Sequence, residues 1–216
     1  MQVGDGFNPE VGFLNRTGGY RYYDISFMRI FRNDSLTWLR QYNPHVNWRA
    51  YYTLDGFYSS GQIHVDFTEI EFSDGARFGP EFNIYHEGLQ EPFAIASNTT
   101  LPADSYDWWS LGLDFSTNPS APLSLSLRGD FGPFYNGTPN GGNATITYRQ
   151  GASLTTSLLV DYNDVDLDQG SFVRSLVGFR AGYFFTPKVF VQSLVQYNNQ
   201  ARIWTANARF GWLTTA

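Results

Sequence analysis

Three histidines, His45, His64 and His86, are the only imidazoles in the chain. None stands in a metal-binding spacing such as HExxH, so the sequence assigns no metal site. His64 and Asp66 alternate along an extended stretch and share one face, with Ser59 and Ser60 just upstream. A serine near such a pair is the raw material of a nucleophile–base couple. No GxSxG elbow accompanies it, and the plainer reading is a polar histidine facing a water-filled interior. Asp164, Asp166 and Asp168 alternate before Gly170, like the first ligands of a calcium loop. The glycine falls one place late and the closing glutamate is missing, so an acidic, solvated loop or strand end competes with it. Glu81, Glu87 and Glu91 are carboxylates of the kind that glycoside hydrolases pair, but spacing along a chain does not set separation in space. The sequence therefore assigns no catalytic, cofactor-binding or metal residue.

A second constellation concerns a surface rather than a reaction. Arg174 and Arg180, Gln192 and Gln196, and Asn207 and Arg209 lie on the polar sides of three successive two-faced stretches. In a barrel they would face the lumen and converge on one sector. One reading is the wall of a pore or ligand path; the other is a hydrogen-bonded network that fills and stiffens the interior.

Such residues need long strands to position them, and the pattern supplies these. From Trp204 to Trp212 every second residue is Trp, Ala, Ala, Phe, Trp, with Thr205, Asn207, Arg209 and Gly211 between. Val189, Val191, Val195 and Tyr197 oppose Gln192 and Gln196. Trp109, Leu111, Leu113 and Phe115 oppose Ser110, Gly112 and Asp114; Leu123, Leu125 and Leu127 oppose Ser124, Ser126 and Arg128. Period-two alternation of this kind marks a strand with one greasy and one wet face. Candidate strands are Tyr20–Phe31, Leu36–Tyr42 running past Pro44 into Val46–Leu54, Tyr58–Phe72, Arg77–His86, a weaker Glu91–Ala96 and Tyr106–Ser116. Leu123–Phe131, Ala144–Arg149, Leu154–Tyr162, Phe172–Phe185, Val189–Tyr197 and Ile203–Leu213 complete a set of about twelve. Asn33-Asp34-Ser35, Ser73-Asp74-Gly75, Asn118-Pro119-Ser120, the Asn136–Asn143 cluster and Thr186-Pro187-Lys188 read as turns or loops. The alternation is poorer before residue 80, where Glu69 falls in phase with Val65 and Phe67.

Composition agrees. The 216 residues are 18% aromatic, with 21 Gly, 2 Met and no Cys, which favours strands and removes disulfides and thiol chemistry. Mean hydropathy is -0.31, unremarkable for a barrel in which only alternate residues are apolar. A net charge of -6 with scattered basic residues disfavours nucleic acid as a partner. A soluble β-sandwich alternates too. Against it stand the strand lengths and the aromatics near strand ends, at Trp108-Trp109, Tyr183-Phe184-Phe185 and Trp212, which resemble an interfacial girdle. The fold expected is all-β: an antiparallel transmembrane β-barrel, or a partial barrel sheet, of about 12 strands.

Two stretches go beyond pattern: Phe7-Asn8-Pro9-Glu10-Val11-Gly12-Phe13 with Asn15-Arg16, and Leu194-Val195-Gln196-Tyr197-Asn198 with Asn207-Ala208-Arg209-Phe210-Gly211-Trp212. Together they resemble the C-terminal outer-membrane barrel region of a bacterial family of unknown function, in which the barrel follows a domain similar to family-9 carbohydrate-binding modules. The resemblance implies one barrel region over residues 1–216, a fragment lacking the first strands and the closing C-terminal strand. It implies a bacterial outer-membrane location, with membrane lipid and the barrel-assembly machinery as partners and glycan contact through the missing N-terminal domain. The role expected is a pore, transport or surface-anchoring segment, with no cofactor. A barrel-borne glycan or lipid hydrolase and a soluble carbohydrate-binding sandwich are the alternatives.

Overall fold

The computed structural model describes residues 1–7, 16 and 18–214; most of the first family-like stretch, residues 8–15, lies outside them. The described chain is all-β and antiparallel throughout. Its strands are β1 (Gln2–Val3), β2 (Tyr20–Met28), β3 (Leu39–Tyr42), β4 (His45–Thr53), β5 (Tyr58–Asp66), β6 (Ile70–Phe72), β7 (Arg77–Gly88) and β8 (Phe93–Ala96). They continue as β9 (Thr99–Leu101), β10 (Ser105–Ser116), β11 (Leu123–Phe131), β12 (Thr138–Gln150), β13 (Leu154–Leu167), β14 (Gly170–Thr186), β15 (Val189–Asn198) and β16 (Ile203–Trp212).

Fourteen of these form a single sheet in the order β1-β2-β4-β5-β7-β10-β11-β12-β13-β14-β15-β16, with β3 and β6 alongside. The path is a meander in which sequence neighbours pair, as short links between two-faced strands require. The sixteen strands among the described residues exceed the roughly twelve expected, because the sequence pattern does not show the short β1, β6 and β9 as separate strands. The sheet is open: β1 and β16 stand at its two ends and do not pair with each other among the described residues.

Alternation along the strands survives in the structure as two distinct faces. Leu111, Leu127, Leu158 and Val160, from three strands, are 39%, 40%, 42% and 39% exposed. Each is covered at its sides by strand neighbours and open above. Trp109, Ile146, Phe179, Val191, Val195, Phe210 and Trp212 lie on the same face and are likewise exposed. A soluble β-sandwich would cover this face with a second sheet. The one other sheet among the described residues is the β8–β9 hairpin, and it packs on the opposite, polar face.

That hairpin builds the main conventional core. Leu101, fully buried, packs with Tyr106, Val165 and Leu167, and Leu89, Ile95, Trp108, Phe134, Tyr135 and Phe172 surround them. The connection between β7 and β10 therefore folds over one end of the polar face instead of extending away from it.

Several sequence expectations need correction. The Asn136–Asn143 cluster is not a loop: Thr138 to Asn143 continue β12, paired with Asp166 to Asp161. The glycines serve close approach, since a Cβ on Gly141 would sit 2.1 Å from the Tyr162 carbonyl oxygen and one on Gly142 2.4 Å from that of Arg128. Tyr58–Phe72 is not one strand. The Asp66 carboxylate accepts a hydrogen bond from the Thr68 backbone N–H at 3.3 Å, the chain turns, and β6 pairs with β3 and β7. The turn brings Glu69 to the polar side, beside His45, and away from the face of Val65 and Phe67. Trp108 faces the polar side, stacked on Tyr85 and Tyr135 with ring centroids 5.3 and 4.6 Å away, so Trp109 alone of that pair belongs to the apolar face. Thr186-Pro187-Lys188 is a tight turn as expected, its Thr186 Oγ1 accepting from the Lys188 and Val189 N–H groups at 3.2 and 3.0 Å.

If Leu101 anchors the hairpin, Leu101→Ala removes a fully buried side chain and lowers stability by about 2–5 kcal/mol. A denaturant series on the full-length protein measures this, and protease sensitivity between residues 89 and 104 should rise with it.

Candidate functional site

The polar face is the side on which chemistry is concentrated, and β-strand period places its residues. In β11, Arg128 and Asp130 alternate onto it; Glu81 and Asn83 in β7, Asp114 in β10, and Gln62, His64 and Asp66 in β5 do the same. Arg128 is the hub. Its Nε and Nη2 form a bidentate pair with Asp130 at 3.0 and 2.8 Å, and its two terminal nitrogens also bind Asp114 and Glu81. One guanidinium thus holds three carboxylates, a task its planar fork performs and an ammonium does not.

From this hub a hydrogen-bonded run crosses four strands. Glu81 Oε1 accepts from Asn83 Nδ2 at 3.1 Å. Asn83 Oδ1 faces Gln62 Nε2 at 2.9 Å and His64 Nδ1 at 2.8 Å. His64 Nε2 then meets His45 Nε2 at 3.0 Å, and His45 Nδ1 lies 3.2 Å from the Asn43 carbonyl oxygen. The two histidines border a depression of about 360 Å³ at one end of the sheet, with Asp66, Glu69, Arg77 and Asp114 among its walls.

A second cavity, of about 520 Å³, opens at the other end beneath the β8–β9 hairpin. Trp108, Phe134 and Phe172 give it an aromatic wall; Arg128, Asp130 and Arg174 give it charge. Arg128 therefore contributes to the network on one side and to this cavity on the other.

The residues singled out from sequence are placed as follows. Arg174, Arg180, Gln192, Gln196, Asn207 and Arg209 all lie on the polar face. Arg180, Gln192, Asn207 and Arg209 line one shallow depression of about 410 Å³. Arg209 also lies over the Phe190 ring, 5.5 Å from its centroid. Arg174 stands apart, bordering the hairpin cavity and 3.7 Å from Asp161. Gln196 pairs in register with Gly178 and Thr205, outside that depression.

The enzyme-like constellations do not assemble. His64 is hydrogen-bonded to Asn83 and His45, whereas Ser59 bonds the Tyr51 carbonyl and both Ser59 and Ser60 accept from Arg16. Glu81 and Glu87 share β7 but stand six residues apart, roughly 20 Å along a strand. Asp164 and Asp166 are extended residues paired with Val173 and Ser171, not ligands of a calcium loop. His86 lies on the apolar side, stacked on Tyr58 at 4.0 Å and bonded to Asp107 at 2.8 Å.

Sequence reading missed the Arg128 network and the His45–His64 pair. The period-two signal for Arg128, Asp130 and Asp114 was present, but the register that joins them to Glu81 is a tertiary fact. No family model matches this chain, and neither does any curated protein or solved structure.

Arg128→Leu leaves Glu81, Asp114 and Asp130 facing one another without a cation, at a cost of about 1–3 kcal/mol in denaturant midpoint analysis, since Asp114 and Asp130 stay partly exposed. Arg128→Lys should recover only part of that, because one point charge does not span three carboxylates.

Proposed function

We propose that this chain is a segment of a bacterial outer-membrane β-barrel, with lipid against its apolar face and water against its polar face. Its role is that of a pore or transport element, or of the surface anchor for an attached carbohydrate-binding-like domain. The observation that carries the reading is the uncovered apolar face. Monomeric soluble proteins rarely expose a contiguous apolar patch beyond a few hundred Å². Here the patch crosses the sheet from Ile25 and Phe27 on β2 to Phe210 and Trp212 on β16, all exposed.

The register supports the same reading. Trp204, Tyr197, Val177, Val160, Ala144, Leu127, Phe115 and Phe78 form one registered row across eight strands. In β15 and β16 the apolar stretch runs from this row toward the 186–188 turn, to Val189 and Trp212. In β7 and β10 it runs the opposite way, to Ile84 and Trp109. The middle of the stretch thus slips by about one residue per strand. With roughly 3.3 Å along a strand and 4.8 Å between strands, a level band then implies a strand tilt of about 35°. Transmembrane barrels have tilts of this size.

The rims carry aromatics with polar tips. Tyr23, Tyr52, Tyr58 and His86 form a chain of ring contacts, with Tyr23–Tyr52, Tyr52–Tyr58 and Tyr58–His86 centroids 5.9, 4.9 and 4.0 Å apart. Tyr197 and Trp204 meet at 5.0 Å on the far strands. Such rings suit the boundary between acyl chains and water. The polar face offers charged depressions and an in-folded hairpin, as a lumen wall does. The attached domain comes from the family resemblance.

Full-length protein refolded from urea into detergent should run with heat-modifiable mobility and give a β-rich circular dichroism spectrum. Leu158→Arg, in the middle of the apolar face, should destabilise it by about 2–4 kcal/mol, whereas Gln196→Arg on the polar face stays near wild type. A protein that remains monomeric and soluble without detergent contradicts the proposal, as do equal effects of the two substitutions.

A further inference from the structure

Two ring nitrogens facing each other across β4 and β5 pose a problem that the protein's own hydrogen bonds do not solve. Asn83 is completely buried. Its amide nitrogen donates to Glu81 Oε1 at 3.1 Å, so its Oδ1 is the atom turned toward β5. Asn83 Oδ1 lies 2.8 Å from His64 Nδ1, which must therefore carry a proton. His45 Nδ1 is 3.2 Å from the Asn43 carbonyl oxygen and 3.8 Å from Glu69 Oε2, both acceptors, so it carries one as well. A neutral imidazole protonated on Nδ1 presents a lone pair at Nε2. The two Nε2 atoms stand 3.0 Å apart, lone pair to lone pair. That contact is repulsive unless a cation joins it.

The third element is Asp66. It is only 6% exposed and takes part in no ion pair with arginine or lysine among the described residues. Among the described residues its side chain accepts one hydrogen bond, from the Thr68 backbone. A buried carboxylate is stabilised in its charged form by a nearby cation and otherwise takes up a proton. Ligand atoms of His45, His64 and Asp66 lie within 4.8 Å of one another. The surrounding depression adds the carboxylate of Glu69, 3.8 Å from His45 Nδ1, while its Glu81 and Asp114 are already paired with Arg128.

We propose that His45, His64 and Asp66 bind one divalent transition-metal ion of zinc-like preference. With metal–imidazole bonds of about 2.0–2.1 Å, tetrahedral geometry puts two ligand nitrogens about 3.3–3.4 Å apart, so the histidine pair at 3.0 Å has to open by only a few tenths of an ångström. Asn83 and the Asn43 carbonyl hold the two Nδ1 protons and so aim both Nε2 lone pairs, the support that metal-ligating histidines require. Three protein ligands leave a further coordination position turned to the depression, open to water or a small anionic solute. The site ties β4 to β5 at the end of the sheet opposite the hairpin. It does not depend on what covers the apolar face.

Tag-free, full-length protein, refolded in detergent and stripped with chelator, is titrated with Co²⁺. One saturable equivalent with visible d–d absorption, displaced by Zn²⁺, is expected. His45→Gln and His64→Gln should each weaken binding at least ~100-fold, and Asn83→Ala, which leaves all three ligands in place, by about 10–100-fold. X-ray absorption of the wild-type Zn²⁺ complex should show two imidazole nitrogens at about 2.0 Å, a readout that needs no variant to fold. Absence of saturable Co²⁺ binding by folded wild-type protein overturns the proposal and leaves the two imidazoles sharing a proton. So does binding that persists unchanged in folded His45→Gln and His64→Gln.

Discussion

Among the described residues, the apolar side chains on one face of this sheet have no protein layer to pack against, and most other features follow from that constraint. A two-faced sheet normally buries its greasy side against helices or a second sheet. Here Leu111, Leu127, Leu158 and their neighbours are held only by flanking strands. Just seven hydrophobic residues are buried among those described. The energetic case for the fold therefore depends on the medium that meets that face. On the proposed reading lipid would satisfy it, and lipid would in turn demand that every backbone group within the sheet be paired, which long antiparallel strands in continuous register provide.

The same constraint sends polarity to the other face, where it must be satisfied internally or by water. At one end the β8–β9 hairpin folds over and makes a small aromatic core around Leu101. At the other end carboxylates and histidines gather around a depression. Arg128 lies between these regimes, binding Glu81, Asp114 and Asp130. A half-satisfied network in such a place would cost more than an apolar one, so the completeness of its pairing matters as much as the number of bonds.

Strand identity was largely legible in the sequence because alternation is a local property. Leu123–Phe131 matches its strand at both ends, and the faces assigned to Trp109–Phe115 and Trp204–Trp212 are those observed. What failed were places where local chemistry has two meanings. Gly141 and Gly142 looked like a loop but make room for neighbouring carbonyls. Trp108 looked like a girdle residue, although its period places it on the polar side under the hairpin. Asp66 ends β5 by capping its own turn, which reversed the side assigned to Glu69. The six polar residues from Arg174 to Arg209 share a face as alternation dictates, yet only four share a depression, because grouping depends on register. The histidine pair was out of reach for the same reason: His45 and His64 are 19 residues apart and meet only through the β4–β5 pairing.

Tryptophan quenching by lipids brominated along the acyl chain tests the central claim most directly. Single-tryptophan versions of the full-length protein, reconstituted in such bilayers, would retain Trp109, Trp204 or Trp108 alone. Trp109 and Trp204 stand exposed on the apolar face, while Trp108 is packed on the polar side against Tyr85 and Tyr135. Strong quenching of Trp109 and Trp204 with little of Trp108 is the predicted result. Equal quenching of all three, or none for Trp109 and Trp204, would contradict the assignment of lipid to the apolar face.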